Sequence, residues 1–541
     1  MTAVVTEEAA VGRVPEKPGA PSWPAWAVRA AWGIIAFGAV LRVCRWLAGR
    51  SLWMDELYLA KSVADLHHYP TIHDLLFREL EYWQAAPAGF LILTRWSVLL
   101  FGAGERALRA PSLLMGLIAL PLFLAVAKRI LPPRGGLVAV ALFSVLTPLI
   151  YYSQELKQYS DDIVVALAVT LAALWRMEKP EDPRRLVMLA LAGIVGAFFS
   201  QPAVFVLAGV GCALVLQDHF AGRRRASAQA ALVAAAWALA FGVNWWLFIR
   251  PISQRPKQYE GLIRYWINQD GFMPHWWFGA YGLPAWIWTA FWKVFAAPGA
   301  MWMYYAGVAM LIAIVGFAAL WRSDRNRLVI LTAPILFVLA ASYARKYPFG
   351  DRLVLFIVPA LILLLGAGVD YLWRHGGPAR NVVALVAVGM LVIPSAGRSI
   401  SLLVRPVGRE ESGLVYRYIG QHWRPGDVLY LYHNADVSFD HYKDEAGLGK
   451  VKPIIQPNYS GDFRGFIEDL NQLKGKPRVW VVFTHVWTEH GLDEMNFTLV
   501  ALDRVGLRQD RYPNTDAVWD YGAQCFLYDM TAAPAPIVKS D

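Results

Sequence analysis

The chain has 541 residues, 57% of them hydrophobic and 17% charged, with a mean hydropathy of +0.38. Soluble domains run nearer about 25% charged, so an ordinary soluble enzyme is excluded, although the length would accommodate several domains. The net charge of +10 does not point to nucleic acid, because the basic residues fall in short clusters between apolar runs, the pattern that orients a membrane protein.

The first 26 residues read as a polar, Pro-rich cytoplasmic tail without a cleavable signal peptide. Residues 27–47, 108–127, 135–152, 228–249, 299–321 and 353–373 are long apolar runs, poor in charge. A helix of about 20 such residues crosses about 30 Å of hydrocarbon. The runs lack the alternation of a membrane barrel. The expectation is an α-helical polytopic membrane domain over 27–400 with about eleven spans.

Five basic turns mark the cytoplasmic side: Lys128–Arg134, Arg176–Arg185, Arg223–Arg225, Arg322–Arg327 and Arg374–Arg380. The segments 48–107, 153–161, 200–202, 250–298, 344–352 and 399–541 then lie outside, with the N-terminus inside and the C-terminus outside. Residues 86–102 are apolar but short and contain Pro87, Gly89 and Arg95, and they read as a helix lying at the outer interface. Trp266, Trp276, Trp277, Trp286, Trp288 and Trp292 suit an aromatic belt or a wall for a lipid or sugar.

Three polar constellations fall on the outer side. The first loop opens Leu52-Trp53-Met54-Asp55-Glu56, with two adjacent carboxylates just past the first span. Neighbours on a helix point about 100° apart, so one of the two faces a given site; acids favoured at a helix N-terminus are the bland alternative. The second loop runs Tyr151-Tyr152-Ser153-Gln154-Glu155-Leu156-Lys157-Gln158-Tyr159-Ser160-Asp161-Asp162, and polar groups this dense at membrane depth mark a site. The third carries Arg345, Lys346 and Arg352, cations placed against the positive-inside rule and suited to a phosphate. Acids and cations on one face suit attack on a sugar attached to a lipid phosphate. A carboxylate would take the acceptor's proton and a cation would stabilise the departing phosphate.

After about residue 405 the long apolar runs stop. Helices over 410–423, 463–473 and 492–505 alternate with strands over 428–432, 479–483 and 525–528. The expectation is a small α/β periplasmic domain over 401–541. It has no Gly-rich phosphate loop and no metal-ligand Cys spacing. Cys44, Cys212 and Cys525 form no disulfide framework.

Leu52–Glu56, the 86–102 helix, Gly104–Arg109 and Tyr151–Asp162 resemble the N-terminal module of the GT-C membrane glycosyltransferases, most closely the family 39 type with protein O-mannosyltransferases and aminoarabinose transferases. Tyr347-Pro348 to Arg352 is similar to the late outer loop of oligosaccharyltransferase catalytic subunits. The resemblance implies GT-C architecture and an inverting transfer from a polyprenyl-phosphate sugar in a bacterial inner membrane. It makes Asp55 the general base, with Glu56 beside it. Glu155, Asp161 and Asp162 compete as the second-loop acid, with Asp161 favoured by position. Arg352 becomes the phosphate cation, with Lys346 and Arg345 as neighbours. Tyr152, Gln154, Lys157 and Tyr159 are further loop candidates. A divalent ion, Mg or Mn, has oxygen ligands available in Asp55 and Asp161; base catalysis by Asp55 needs none, and that metal-free reading is preferred. The partners expected are the lipid-linked donor, membrane lipids and a glycan, lipid or protein acceptor, with no nucleic acid. Gln84-Ala85-Ala86-Pro87 departs from the Lys-Pro-Pro of aminoarabinose transferases, which disfavours a lipid A acceptor. The alternative from another class is a lipid or sugar transporter or flippase, against which stand the lack of an internal repeat and the placement of the acids at one face.

Overall fold

The computed structural model describes residues 21–253, 256–276, 282–374, 377–404, 408–458, 463–486, 488–489, 492–514 and 522–531. Most of the expected N-terminal tail, and Trp277, lie outside the described residues.

The first apolar run forms α1 (Ala25–Leu47). Three short helices follow, α2 (Met54–Ala64), α3 (Ile72–Phe77) and α4 (Ala88–Phe101). The 14 residues of α4 reach about 21 Å, short of the ~30 Å of a bilayer core. Its buried Arg95 donates to the carbonyls of Ser62 and Asp65 at the end of α2. That contact pins α4 to the loop helices.

The chain then runs through α5 (Glu105–Ile130), α6 (Pro133–Val145), α7 (Thr147–Tyr151), α8 (Tyr159–Glu178), α9 (Pro183–Phe199), α10 (Ala203–Phe220) and α11 (Arg224–Asn244). Short pieces α12 (Arg250–Ser253), α13 (Pro256–Asn268) and α14 (Leu283–Ala296) precede α15 (Ala306–Ser323), α16 (Arg325–Tyr343), α17 (Val358–Arg374) and α18 (Pro378–Val404). Among the described residues eight helices are long and apolar enough to cross a membrane, and α6 with α7 makes a ninth, bent by 51°. α8 and α9 pack among them; α8 carries charge at both ends, Asp161 and Asp162 at its start and Arg176 and Glu178 at its close, and α9 is 17 residues long.

The bend between α6 and α7 has a local cause. Pro148 has no N–H, which leaves the Ser144 carbonyl without its helical donor. Buried Arg42 of α1 supplies the missing bonds, donating at 3.0 Å to Ser144 O and 3.2 Å to Phe143 O. Gly38 permits this approach, since a Cβ there would lie 2.7 Å from the Ser144 side chain.

Several of the basic turns meet on one face. Arg129 and Arg185 both pair with Glu178, and buried Arg176 shares Asp218 with Arg223. Gln217 donates to Asn326 O in the first turn of α16. The opposite ends of the same helices carry the polar loops.

The C-terminal segment forms α19 (Ser412–His422), β1 (Val428–Leu431), α20 (Asp436–Tyr442), β2 (Ile454–Ile455), α21 (Phe463–Leu470), β3 (Val479–Thr484), β4 (Thr488–Glu489), β5 (Leu492–Asp493), α22 (Glu494–Asp503), β6 (Leu507–Tyr512) and β7 (Ala523–Asp529). The main sheet has the order β2-β1-β3-β7-β6, with β1 parallel to β2 and β3, and β7 antiparallel to its neighbours. The three strands expected from apolar runs are β1, β3 and β7. The two edge strands were not foreseen: β6 reads Leu-Arg-Gln-Asp-Arg-Tyr, and an edge strand carries charge without loss. Leu52, Leu57, Val63 and Phe90 of the first loop join Tyr416, Leu429, Val481 and Phe526 in a single buried cluster. The first loop and the C-terminal domain are therefore two halves of one core, on one end of the helix bundle.

Replacing Arg42 by Met leaves the Ser144 and Phe143 carbonyls without donors at the bend, and each orphaned buried group costs about 1–3 kcal/mol. Arg42→Met is expected to lower the melting temperature of the detergent-solubilised protein markedly; Arg42→Lys, which cannot reach both carbonyls at once, recovers only part of it.

Candidate active site

The adjacent acids at the start of α2 have different surroundings. Glu56 is 1% exposed. Its Oε1 accepts from Arg109 Nε at 2.8 Å and from the Leu156 N–H at 2.7 Å. Its Oε2 accepts from Arg109 Nη2 at 2.5 Å and from the Trp53 N–H at 3.3 Å. Arg109 of α5 also donates to the carbonyls of Arg50 and Ser51. Glu56 is thus fully engaged, tying α2, α5 and the second loop together. It was expected as a catalytic partner of Asp55; its surroundings are those of a structural clamp.

Asp55 points elsewhere. Its Oδ2 accepts from Arg352 Nη2 at 3.0 Å, and the two side chains are 25% and 22% exposed. Its Oδ1 accepts no hydrogen bond from the described residues. Breaking a buried pair such as Glu56–Arg109 costs about 3–5 kcal/mol, whereas a part-exposed pair is worth about 1 kcal/mol or less. The Asp55–Arg352 pair is the one an incoming ligand can open.

Arg352 is placed by the loop before α17. The Phe349 N–H donates to Gly271 O at 2.7 Å, and Tyr347 Oη donates to Leu353 O at 3.0 Å. Asp351 has a left-handed φ of 49°. Its carboxylate lies against Gly299, where a Cβ would come within 1.3 Å of Oδ1, so only glycine lets the loop close in.

Trp53 is the hub of the site. Its indole N–H donates to Glu155 Oε1 at 2.7 Å. The Arg352 guanidinium lies over its ring at 5.4 Å and the Arg409 guanidinium at 4.3 Å. Glu155 is 2% exposed and its Oε2 has no partner among the described residues. Burial pushes the Glu155 carboxyl up to about 6, opposed by the charge of Arg409. Lys157 Nζ donates to Gln84 Oε1 at 2.7 Å, and burial lowers its affinity for a proton. Tyr152 packs edge-on to Tyr151 and Tyr159.

Other expected residues do not join this cluster. Arg345 and Lys346 are exposed at the rim of the 344–352 loop. Gln154 lies against Arg45. Buried Asp161, favoured as the second-loop acid, turns into an apolar cleft of about 460 Å³ lined by Met115, Val164, Leu191 and Phe199, and neither oxygen has a partner among the described residues. Asp162 lies beside Ser200. Asp55 and Asp161 therefore do not form the suggested metal pair, and among the described residues no three His, Cys, Asp or Glu side chains converge on a metal position.

Sequence reasoning missed Trp53 and Arg409. The second had a signal: like Arg345, it is a cation in a segment expected to lie outside.

This architecture is that of the GT-C membrane glycosyltransferases, a polytopic helical domain with a small C-terminal sheet domain. The Archaeoglobus fulgidus oligosaccharyltransferase matches with a TM-score of 0.52 in its apo form, at 12% identity over 94% of this chain and 75% of that chain. The same enzyme in complex with Zn and sulfate matches with a TM-score of 0.51, at 11% identity over 92% of this chain and 73% of that chain. ArnT from Cupriavidus metallidurans aligns over 92% of this chain and 98% of that chain, at 14% identity and a TM-score of 0.49. Within the fold, residues 85–248 match the family model of dolichyl-phosphate-mannose-protein mannosyltransferases. No curated protein matches the chain.

An acid whose folded pKa is raised from 4.5 to about 6 contributes stability that is full below pH 4.5 and lost as pH rises through 6. The loss amounts to about 2 kcal/mol. Glu155→Gln cannot ionise. Between pH 4.5 and 7 its melting temperature is expected to fall less than that of the wild type; parallel curves would contradict the burial of an ionising Glu155.

Proposed function

We propose that the chain is an inverting glycosyltransferase that moves a sugar from a polyprenyl-phosphate carrier to an acceptor hydroxyl at the membrane surface. The observation that carries this reading is the Asp55–Arg352 pair, part-exposed and set beside Trp53 and Glu155. The match of 85–248 to the dolichyl-phosphate-mannose-dependent family supports a lipid-phosphate donor.

In this reading the donor phosphate takes Arg352 from Asp55. The freed carboxylate accepts the proton of the acceptor hydroxyl, whose oxygen attacks the anomeric carbon from the face opposite the phosphate. The bond between that carbon and the phosphate oxygen breaks, the electron pair leaves with polyprenyl phosphate, and Arg352 stabilises the departing charge. Glu56 acts as a positioning residue through Trp53 and Leu156. Lys157 and Tyr159 lie close enough to Asp55 and Arg352 to feel their charge, and we place them along the donor.

With α8 and α9 counted, we read eleven spans. The basic turns then face the cytoplasm, and the polar loops and C-terminal domain face the periplasm of a bacterial inner membrane. The donor there is an undecaprenyl-type phosphate sugar, and the acceptor a glycan, lipid or protein of the cell envelope.

Purified protein with a panel of polyprenyl-phosphate sugars tests this. One donor should raise the melting temperature and yield free polyprenyl phosphate. Asp55→Asn is expected to reduce turnover by at least about 10³-fold while still binding the donor; Arg352→Ala is expected to weaken donor binding itself. Absence of stabilisation by every donor, with Asp55→Asn fully functional in cells, would sink the reading and favour a transporter.

A further inference from the structure

Arg409 stands on the three-residue segment Arg409-Glu410-Glu411, between the last span and α19. Both neighbouring carboxylates grip the loop that carries Trp53 and Asp55. Glu411 pairs with Arg50 Nε at 2.7 Å and accepts from the Ser51 N–H at 3.4 Å. Glu410 accepts from the Met54 N–H at 3.1 Å through Oε2, and its Oε1 lies 2.6 Å from His485 Nδ1 of the C-terminal domain. The backbone is therefore held on the C-terminal side of Arg409, and the Arg409 carbonyl lies hard against Gly522.

The side chain is treated differently from its neighbours. It is exposed, and it makes no hydrogen bond or carboxylate pair with the described residues. It lies over the rings of Trp53, at 4.3 Å, and Tyr151, at 5.8 Å. Arg352 lies 5.4 Å from the same Trp53 centroid, so the two guanidinia border one ring. Arg352 is neutralised by Asp55, whereas Arg409 has no carboxylate partner among the described residues, and nearby Glu155, buried and bonded to Trp53, offsets its charge only in part. A guanidinium stacked on a shared aromatic ring and lacking a carboxylate partner among the described residues is arranged to receive an anion.

We infer that Arg409 is the second cation of the donor site and grips the lipid-linked phosphate together with Arg352. The C-terminal domain then contributes to donor binding through the Glu410–His485 and Glu411–Arg50 contacts, in addition to covering the loop. This rests on the proposed transferase reading, and its test separates the two.

The probe is polyprenyl monophosphate without a sugar, titrated into full-length protein in neutral detergent and followed by thermal shift. Phosphatidylglycerol and inorganic phosphate are titrated in parallel. Wild type should bind the polyprenyl phosphate, Arg409→Ala should bind it at least 10-fold more weakly, and Arg409→Lys should fall between them. Phosphatidylglycerol and inorganic phosphate should bind weakly, and equally, in wild type and Arg409→Ala. If Arg409→Ala binds polyprenyl phosphate as wild type does, the inference is wrong while the transferase reading stands. It is also wrong if phosphatidylglycerol or inorganic phosphate loses affinity by the same factor, because Arg409 then contacts any anion. A wild type that binds no polyprenyl phosphate removes the transferase reading and this site with it. Melting of the unliganded variants separates lost binding from lost folding, and Arg409→Lys keeps the charge where Arg409→Ala destabilises.

Discussion

The buried ion pair between Glu56 and Arg109 is the constraint on which the site depends. It joins the first residues of α2 to the start of α5 and, through the Leu156 N–H, to the second loop. Taking two charges out of water is unfavourable unless the remaining donors and acceptors are also met. Here the Arg50 and Ser51 carbonyls and the Trp53 and Leu156 amides complete the set. The pair therefore fixes Trp53, Asp55 and Glu155 relative to one another before any ligand arrives. A site preorganised in this way spends none of its binding energy on assembling itself.

Two adjacent acids can then do unlike work. On a helix they diverge by about 100°, so Glu56 turns inward to Arg109 while Asp55 turns toward Arg352. Their exposures separate them further: Glu56 is sealed, and the Asp55 pair is open at its edge. An open pair holds the base and the phosphate cation in register without locking either. The C-terminal domain joins the same arrangement, since its core is continuous with that of the first loop and its leading segment bonds to residues 50–54.

Much of this was legible in the sequence, for physical reasons. Long apolar runs announce spans because hydrocarbon tolerates little else, and the shortness of the helix at 86–102 was visible in its length. The buried strands β1, β3 and β7 showed as apolar runs, while β6 did not because an edge strand can be polar. Asp55 and Arg352 were both nominated, but their pairing spans 297 positions and no local pattern encodes it. Glu56 could not be told from Asp55 because its partner Arg109 lies 53 positions away. Asp161 was favoured for its place at the end of a span; its side chain instead faces the cleft between α5, α8 and α9. Arg345 and Lys346 share the charge anomaly of Arg352, yet only Arg352 is carried inward by the short helical turn from Asp351 to Ile357.

The central claim is that neighbouring carboxylates divide chemistry from structure. The direct test is turnover and melting temperature measured side by side for Asp55→Asn and Glu56→Gln. The account predicts that Asp55→Asn melts within a few degrees of the wild type but releases no polyprenyl phosphate. Glu56→Gln should melt well below both, because it leaves Arg109 buried without a counter-charge. An Asp55→Asn protein that turns over normally, or a Glu56→Gln protein as stable as the wild type and inactive, would contradict it.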